Sequence, residues 1–296
     1  MTEVRTYHGQ PVIKEPTWTW EIPCYFFTGG LGGASAGLAY LSGLRGNEDL
    51  SRRAWATAAA GIAASPLLLI SDLGRPLRFF NMLRMVKVTS PMNVGSWLLG
   101  AYVPAAGVAA AAAWTGKARV LGALATAGAA LFGPAVAAYT AVLISDTAVP
   151  AWHEGYREMP FVFVGSGATA AGGLGLLAAP TRESGPARNL AVFGVATELA
   201  AFERMRENMG MVAGSYETGK AKFYVRAGEM LSVAGAVGAV LGRRSRIVSA
   251  LSGAALVAAS AATRWGIFHA GLVSADDPKY TVVPQRERLR RKAGQG

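Results

Sequence analysis

Eight apolar runs follow one another along this chain, most of them at or above the 18 or so residues that carry a helix across roughly 30 Å of hydrocarbon. They fall at 20–43, 54–71, 93–115, 119–144, 159–179, 189–205, 227–242 and 246–269. The sixth holds Glu198 near its middle, and the seventh is short, with Glu229 near its start. Only 16% of the residues are charged, well below the roughly 25% of a soluble domain. The expected fold is an all-α membrane protein with eight transmembrane helices. The connecting segments are too short for a separate domain, which takes about 50 residues, so any chemistry takes place within the bilayer or on a partner. The opening stretch MTEVRTYHGQPVIKEPTW lacks the basic, apolar and small-residue regions of a cleavable signal, so the first run is expected to stay as a membrane helix.

The net charge of +11 raises nucleic acid as a partner, and QRERLRRKAGQG at the C-terminus is its most basic piece. In a membrane protein such charge serves instead to anchor helices and touch anionic lipid. Eight spans put both termini on one side, where 17 Lys and Arg collect against 10 in the opposite loops. Those opposite loops are shorter and denser in charge, so the bias leaves the side itself undetermined.

One cysteine, Cys24, cannot form an internal disulfide, and an iron–sulfur cluster needs about four cysteine ligands. The histidines are His8 in the tail, His153 in a loop and His269 at the end of the last run, which offers no facing pair for a haem. No His, Asp or Glu grouping has metal-ligand spacing. The chain is expected to hold no metal or haem, so electrons passing through it need a diffusible carrier.

PCYFFTGGLGGASAG from Pro23 and PFVFVGSGATAAGG from Pro160 align at a constant offset of 137, with Phe26/Phe163, Gly30/Gly167 and Ala34/Ala171 in step. A duplication would give two four-helix bundles. Membrane helices rich in small residues also align this well without common descent. The organisation expected is a tail over 1–18, a first bundle over 19–145, a second over 146–270 and a basic tail over 271–296. Between the second and third runs, RPLRFFNMLRMVKV spaces Leu77, Phe80 and Leu83 helically among Arg75, Arg78, Arg84 and Lys87. This predicts an interfacial amphipathic helix over about 76–88, opened by Pro76 after a turn at Gly74.

Asp72 and Arg75 stand where the second run leaves the hydrocarbon. Two readings fit the spacing: a capped helix end beside an ordinary interfacial arginine, or a pair facing a polar cavity where the carboxylate exchanges protons. Glu198 in mid-run costs a few kcal/mol on insertion scales and must turn toward a partner or water. It reads as a proton-transfer residue, or as one that merely bonds a neighbour. Tyr139, Ser145, Asp146, Trp152 and His153 follow along the exit of the fourth run. Such residues form membrane belts, and their donors beside an apolar cleft also suit a quinone headgroup.

Four segments together resemble one family, the NrfD-like membrane subunits of the polysulfide reductase type. They are Trp20-Glu21-Ile22-Pro23 leading into Tyr25 through Gly30; Asp72-Leu73-Gly74-Arg75-Pro76; Ser90 through Trp97; and Tyr139-Thr140 through Ser145 to Pro150, Trp152, Pro160 and Ser166-Gly167. They span about the first 175 residues, and from Arg182 onward the likeness fades to hydropathy and an acidic residue. The resemblance implies an eight-helix subunit of the bacterial inner membrane with a quinone site, menaquinone or ubiquinone, on the side of the termini. It implies a four-cluster ferredoxin-like iron–sulfur subunit as partner, often with a molybdopterin catalytic subunit. On matching positions, Glu21, Tyr25 and Tyr139 would line the quinone, and Asp72 and Arg75 would be polar cavity residues. Glu21 is acidic where a neutral donor is expected, which sets it apart from a direct ligand.

The function expected is therefore a quinone-reactive subunit without catalysis of its own. Glu21, Tyr25, Arg75, Tyr139, Trp152 and His153 are the candidates for quinone binding, and Asp72 and Glu198 for proton transfer. The alternatives are a secondary transporter or ion-translocating subunit built on Glu198, and a bare anchor for a soluble enzyme.

Overall fold

The computed structural model describes residues 12–293. The beginning of the N-terminal tail, His8 included, and residues 294–296 lie outside the described residues. Among those described, regular structure is helical: α1 Glu21–Leu44, α2 Glu48–Asp72, α3 Arg78–Leu83, α4 Pro91–Thr115, α5 Arg119–Ser145, α6 Pro150–His153, α7 Met159–Ala178, α8 Gly185–Met209, α9 Gly219–Leu241, α10 Arg246–Asp276 and α11 Lys279–Ala293. A 3₁₀ segment, Gly210–Glu217, joins α8 to α9. In lipid the backbone must satisfy itself, and a helix does so within one segment.

Six of the long helices, α2, α4, α5, α7, α9 and α10, are long and apolar enough to cross a membrane. α1 dilutes its apolar residues with glycine, and α8 carries five charged residues from Glu198 onward. Large apolar side chains line the outside, among them Leu131 on α5 at 74% exposed and Met230 on α9 at 72%. That periphery suits hydrocarbon.

The helices pack as two quartets. α1 lies against α2 and α5, and α4 against both of those; α7 lies against α8 and α10, and α9 against α10. The quartets meet chiefly where α1 crosses α7. Lipid supplies no hydrophobic force between helices, so close backbone approach at small residues takes its place. A Cβ on Gly167 would come 2.8 Å from the Gly30 carbonyl oxygen, and one on Gly173 would come 2.8 Å from that of Gly253.

Several boundaries differ from expectation. α8 begins earlier and ends later than 189–205, α9 starts at Gly219 instead of 227, and α10 runs on past 269 to Asp276. Glu203, Arg204, Arg206, Lys220 and Lys222 interrupt the apolar pattern, but Glu, Arg and Lys are good helix formers and the hydrogen-bond ladder continues through them. His269, placed by the sequence at the end of the last run, consequently lies inside α10, as does Arg264 before it. The interfacial helix shrinks from 76–88 to the six residues of α3. Asn93 intercepts the chain beyond it: its side chain donates to the carbonyls of Met82 (2.6 Å) and Met85 (2.9 Å) and accepts from the Lys87 N–H (2.6 Å). Leu77 and Phe80 stay on the surface, at 77% and 61% exposed. The basic segment expected as a tail forms α11.

Candidate functional site

The start of α1, the end of α2, the start of α4 and the end of α5 all lie at one end of the first quartet. This end carries Glu21 and Tyr25 from α1, Asp72 from α2 and Tyr139 from α5. Tyr25 and Tyr139 are 1% and 9% exposed, and the two phenols are within electrostatic reach of each other. Neither hydroxyl makes a hydrogen bond to another of the described residues, and neither is among their fully buried unpaired polar atoms, so both are open to a further partner. Tyr139 reaches its position by passing over Gly95 of α4, where any Cβ would collide with its hydroxyl end. Glu21 and Asp72 are half-buried, Asp72 lies within reach of the Glu21 charge, and the Thr19 hydroxyl donates to Glu21. Arg75 is exposed in the turn after α2, and among the described residues it forms no ion pair with Asp72.

A second polar group lies between α7, α8 and α10. Glu198 is 2% exposed and Arg264 fully buried. The Thr169 hydroxyl donates to Glu198 Oε2 at 3.2 Å, while Oε1 has no partner among the described residues. Arg264 Nη2 donates to the Phe163 carbonyl at 2.7 Å, its guanidinium stacks 3.8 Å from the Phe163 ring centre, and Nε and Nη1 are unpartnered. Glu198 and Arg264 lie within electrostatic reach of each other. A small cavity of about 10 Å³ is lined by Glu198, Glu229, Ser232 and Thr263, roughly the room one water molecule needs. Glu229 pairs with Arg206 at 3.4 Å, and Arg206 with Glu217 at 3.1 Å and Glu203 at 3.6 Å, the last two being largely exposed.

Trp152 and His153 belong to a third place, the short α6 beyond α5. Trp152 is fully buried, sandwiched between Trp18 and Phe268 with ring centres at 5.4 and 6.1 Å. Its indole N–H is committed to the Ile267 carbonyl at 2.9 Å. His153 is exposed, with Nδ1 3.1 Å from the Ser145 carbonyl, and it lines a surface pocket shared with Tyr280 and Arg288 of α11.

With the geometry in place, comparison with known proteins adds the lineage. The family described as polysulfide reductase, NrfD_2, matches residues 4–212. The chain belongs to this NrfD-like polysulfide reductase family. The matched region reaches beyond the four motif segments to include α8 and Glu198. A curated relative, the C subunit of polysulfide reductase from Wolinella succinogenes, is 36% identical over 93 residues, 29% of this chain and 29% of the relative. The protein is a multi-pass membrane protein of this family, with six helices fit to span among the described residues.

The NrfD-like fold thus brings four of the eight candidate residues, Glu21, Tyr25, Asp72 and Tyr139, to one end of one quartet. Arg75 is adjacent but turned outward, and Trp152, His153 and Glu198 lie elsewhere. Among the described residues no group of three or more His, Cys, Asp or Glu side chains could hold a metal ion. Arg264 was not singled out by sequence reasoning. The usable signal was Glu198 itself, since a buried carboxylate calls for a buried cation, and two helices meeting through Gly30 and Gly167 leave room for a guanidinium beside them.

Proposed function

We propose that this chain is the integral membrane subunit of a multisubunit oxidoreductase, binding quinone or quinol at the shared end of α1, α2, α4 and α5. The observation that carries this reading is the pair of buried phenols, Tyr25 and Tyr139, with no hydrogen-bond partner among the described residues, beside the Glu21 and Asp72 carboxylates. Two free hydroxyl donors suit the two carbonyl oxygens of a quinone headgroup, and the apolar helix faces suit its isoprenoid tail. When bound, menaquinone or ubiquinone supplies a two-electron, two-proton couple to an iron–sulfur partner. Tyr25 and Tyr139 donate hydrogen bonds that fix the headgroup. Asp72 holds and releases protons at its carboxylate, with Glu21 beside it as a second proton store. His153 and Trp152 stand apart on α6, His153 on the surface and Trp152 as a packing support.

The partners proposed are a four-cluster ferredoxin-like iron–sulfur subunit and a molybdopterin catalytic subunit. Arg75, Arg78, Arg84 and Lys87 are all exposed near this end, a cationic surface suited to docking. The architecture proposed is eight spans in two duplicated bundles, 19–145 and 146–270, in a bacterial inner membrane with both termini on one side. In support, the offset-related Phe26 and Phe163 lie ring to ring at 5.7 Å, and Gly30 touches Gly167, as residues beside a two-fold axis would. Purification of the tagged protein in mild detergent is expected to recover an iron–sulfur protein and extractable quinone; a lone polypeptide without quinone overturns the reading.

A second reading, ion translocation through Glu198, is favoured by its unpartnered Oε1 and by the polar route from its cavity through Glu229 and Arg206 to the surface. It predicts that Glu198→Gln abolishes ion flux in proteoliposomes containing this protein alone. Absence of flux from the wild-type protein alone overturns this second reading.

A further inference from the structure

We propose that a cleft between the two quartets, on the face opposite the termini, holds one acyl chain of an anionic phospholipid, with its phosphate at Arg45. The cleft has a volume of about 320 Å³ and is walled by α1, α5, α7 and α8. Its floor is made of small residues, among them Gly33, Gly37 and Ala168, and its rim carries Leu41 and Phe193, which are 51% and 63% exposed. It begins near the middle of the helices and ends at the connection after α1, where Arg45 and Asn189 stand exposed.

Three features select the occupant. From Gly33 to Arg45 the cleft follows α1 for roughly 18 Å at 1.5 Å per residue, close to the depth of one leaflet of a roughly 30 Å hydrocarbon core. Water does not fill such a space, because its wall below the mouth offers nothing to hydrogen-bond. Its polar lining residues, Arg45 and Asn189, both stand at the mouth, at headgroup depth. Among the described residues Arg45 has no ion pair, so its guanidinium is free to meet a phosphate, for which its fork of donors is well shaped. A quinone headgroup fits less well, since no phenol, imidazole, hydroxyl or carboxylate is among the described residues lining the cleft. The lipid tail would fill the seam where the quartets face each other and fasten α1 and α5 to α7 and α8.

The test is native mass spectrometry of the delipidated full-length protein titrated with phosphatidylglycerol or phosphatidylcholine. One phosphatidylglycerol is expected to bind more tightly than phosphatidylcholine. Arg45→Gln should weaken phosphatidylglycerol about fivefold, the worth of one cation at a membrane surface, and phosphatidylcholine less, because the choline cation already offsets its phosphate. Gly37→Leu should abolish retention of both, because a Cβ at Gly37 meets nothing within 4 Å and the side chain grows into the cleft without displacing protein. Helix content by circular dichroism should match wild type in both variants. Equal binding of the two lipids with no effect of Arg45→Gln overturns the phosphate contact. Retention of phosphatidylglycerol by Gly37→Leu overturns the cleft as its site, and so does recovery of quinone that this variant alone removes.

Discussion

Asp72→Asn is expected to slow quinone-linked turnover of the assembled complex by about 10²- to 10⁴-fold, the usual contribution of a positioned proton-transferring group. The substitution keeps the size and hydrogen-bonding reach of the side chain but removes its ability to carry a proton. Quinone binding should survive, since the headgroup donors assigned here are Tyr25 and Tyr139. The loss should therefore fall on kcat with little change in KM for the quinol, and Asp72→Glu should restore part of it. Steady-state kinetics with a soluble quinol analogue separate these terms. Turnover equal to wild type would remove Asp72 from the proton path and leave it as a helix end.

Arg264→Leu is expected to destabilise the protein by a few kcal/mol, because it removes the buried cation that acts on Glu198 through space, with no direct ion pair between them among the described residues, and leaves the Phe163 carbonyl without its donor. Glu198 would keep the Thr169 hydroxyl as its partner among the described residues, beside a cavity with room for about one water molecule. The double variant Glu198→Gln with Arg264→Leu should be more stable than Arg264→Leu alone, because it removes the orphaned charge together with its partner. Thermal unfolding in detergent, followed for both single variants and the double, reads the coupling directly. Strict additivity would show that the two side chains are independent, and Glu198 would then need another source of compensation.

Two of these residues show what a linear reading can see. Glu198 was legible because a carboxylate inside an apolar run has few explanations. Arg264 was not, because a guanidinium near the apparent end of a run looks like an interfacial anchor. α10 continues past that apparent end, so the same residue lies in the middle of a helix and inside the protein. Trp152 shows the opposite error. An aromatic residue beyond a helix exit suggests a membrane belt or a ligand wall, yet two aromatic neighbours and the Ile267 carbonyl enclose it. Both neighbours, Trp18 and Phe268, are more than a hundred residues away in the sequence.

The sequence by itself determined that the protein is helical and where most of its long helices run, because an apolar segment surrounded by hydrocarbon must satisfy its backbone hydrogen bonds internally. It also named Glu21, Tyr25, Asp72 and Tyr139 one by one. Only the tertiary structure decided that these four share an end of one quartet, that Gly95 makes the space in which Tyr139 lies, and that Arg264 stands beside Glu198. Those facts depend on which helix faces meet. Hydropathy is nearly uniform around a membrane helix, since lipid and protein neighbours are equally apolar, and the choice of facing surfaces falls to the close packing of glycine and alanine, whose partners lie far apart in sequence.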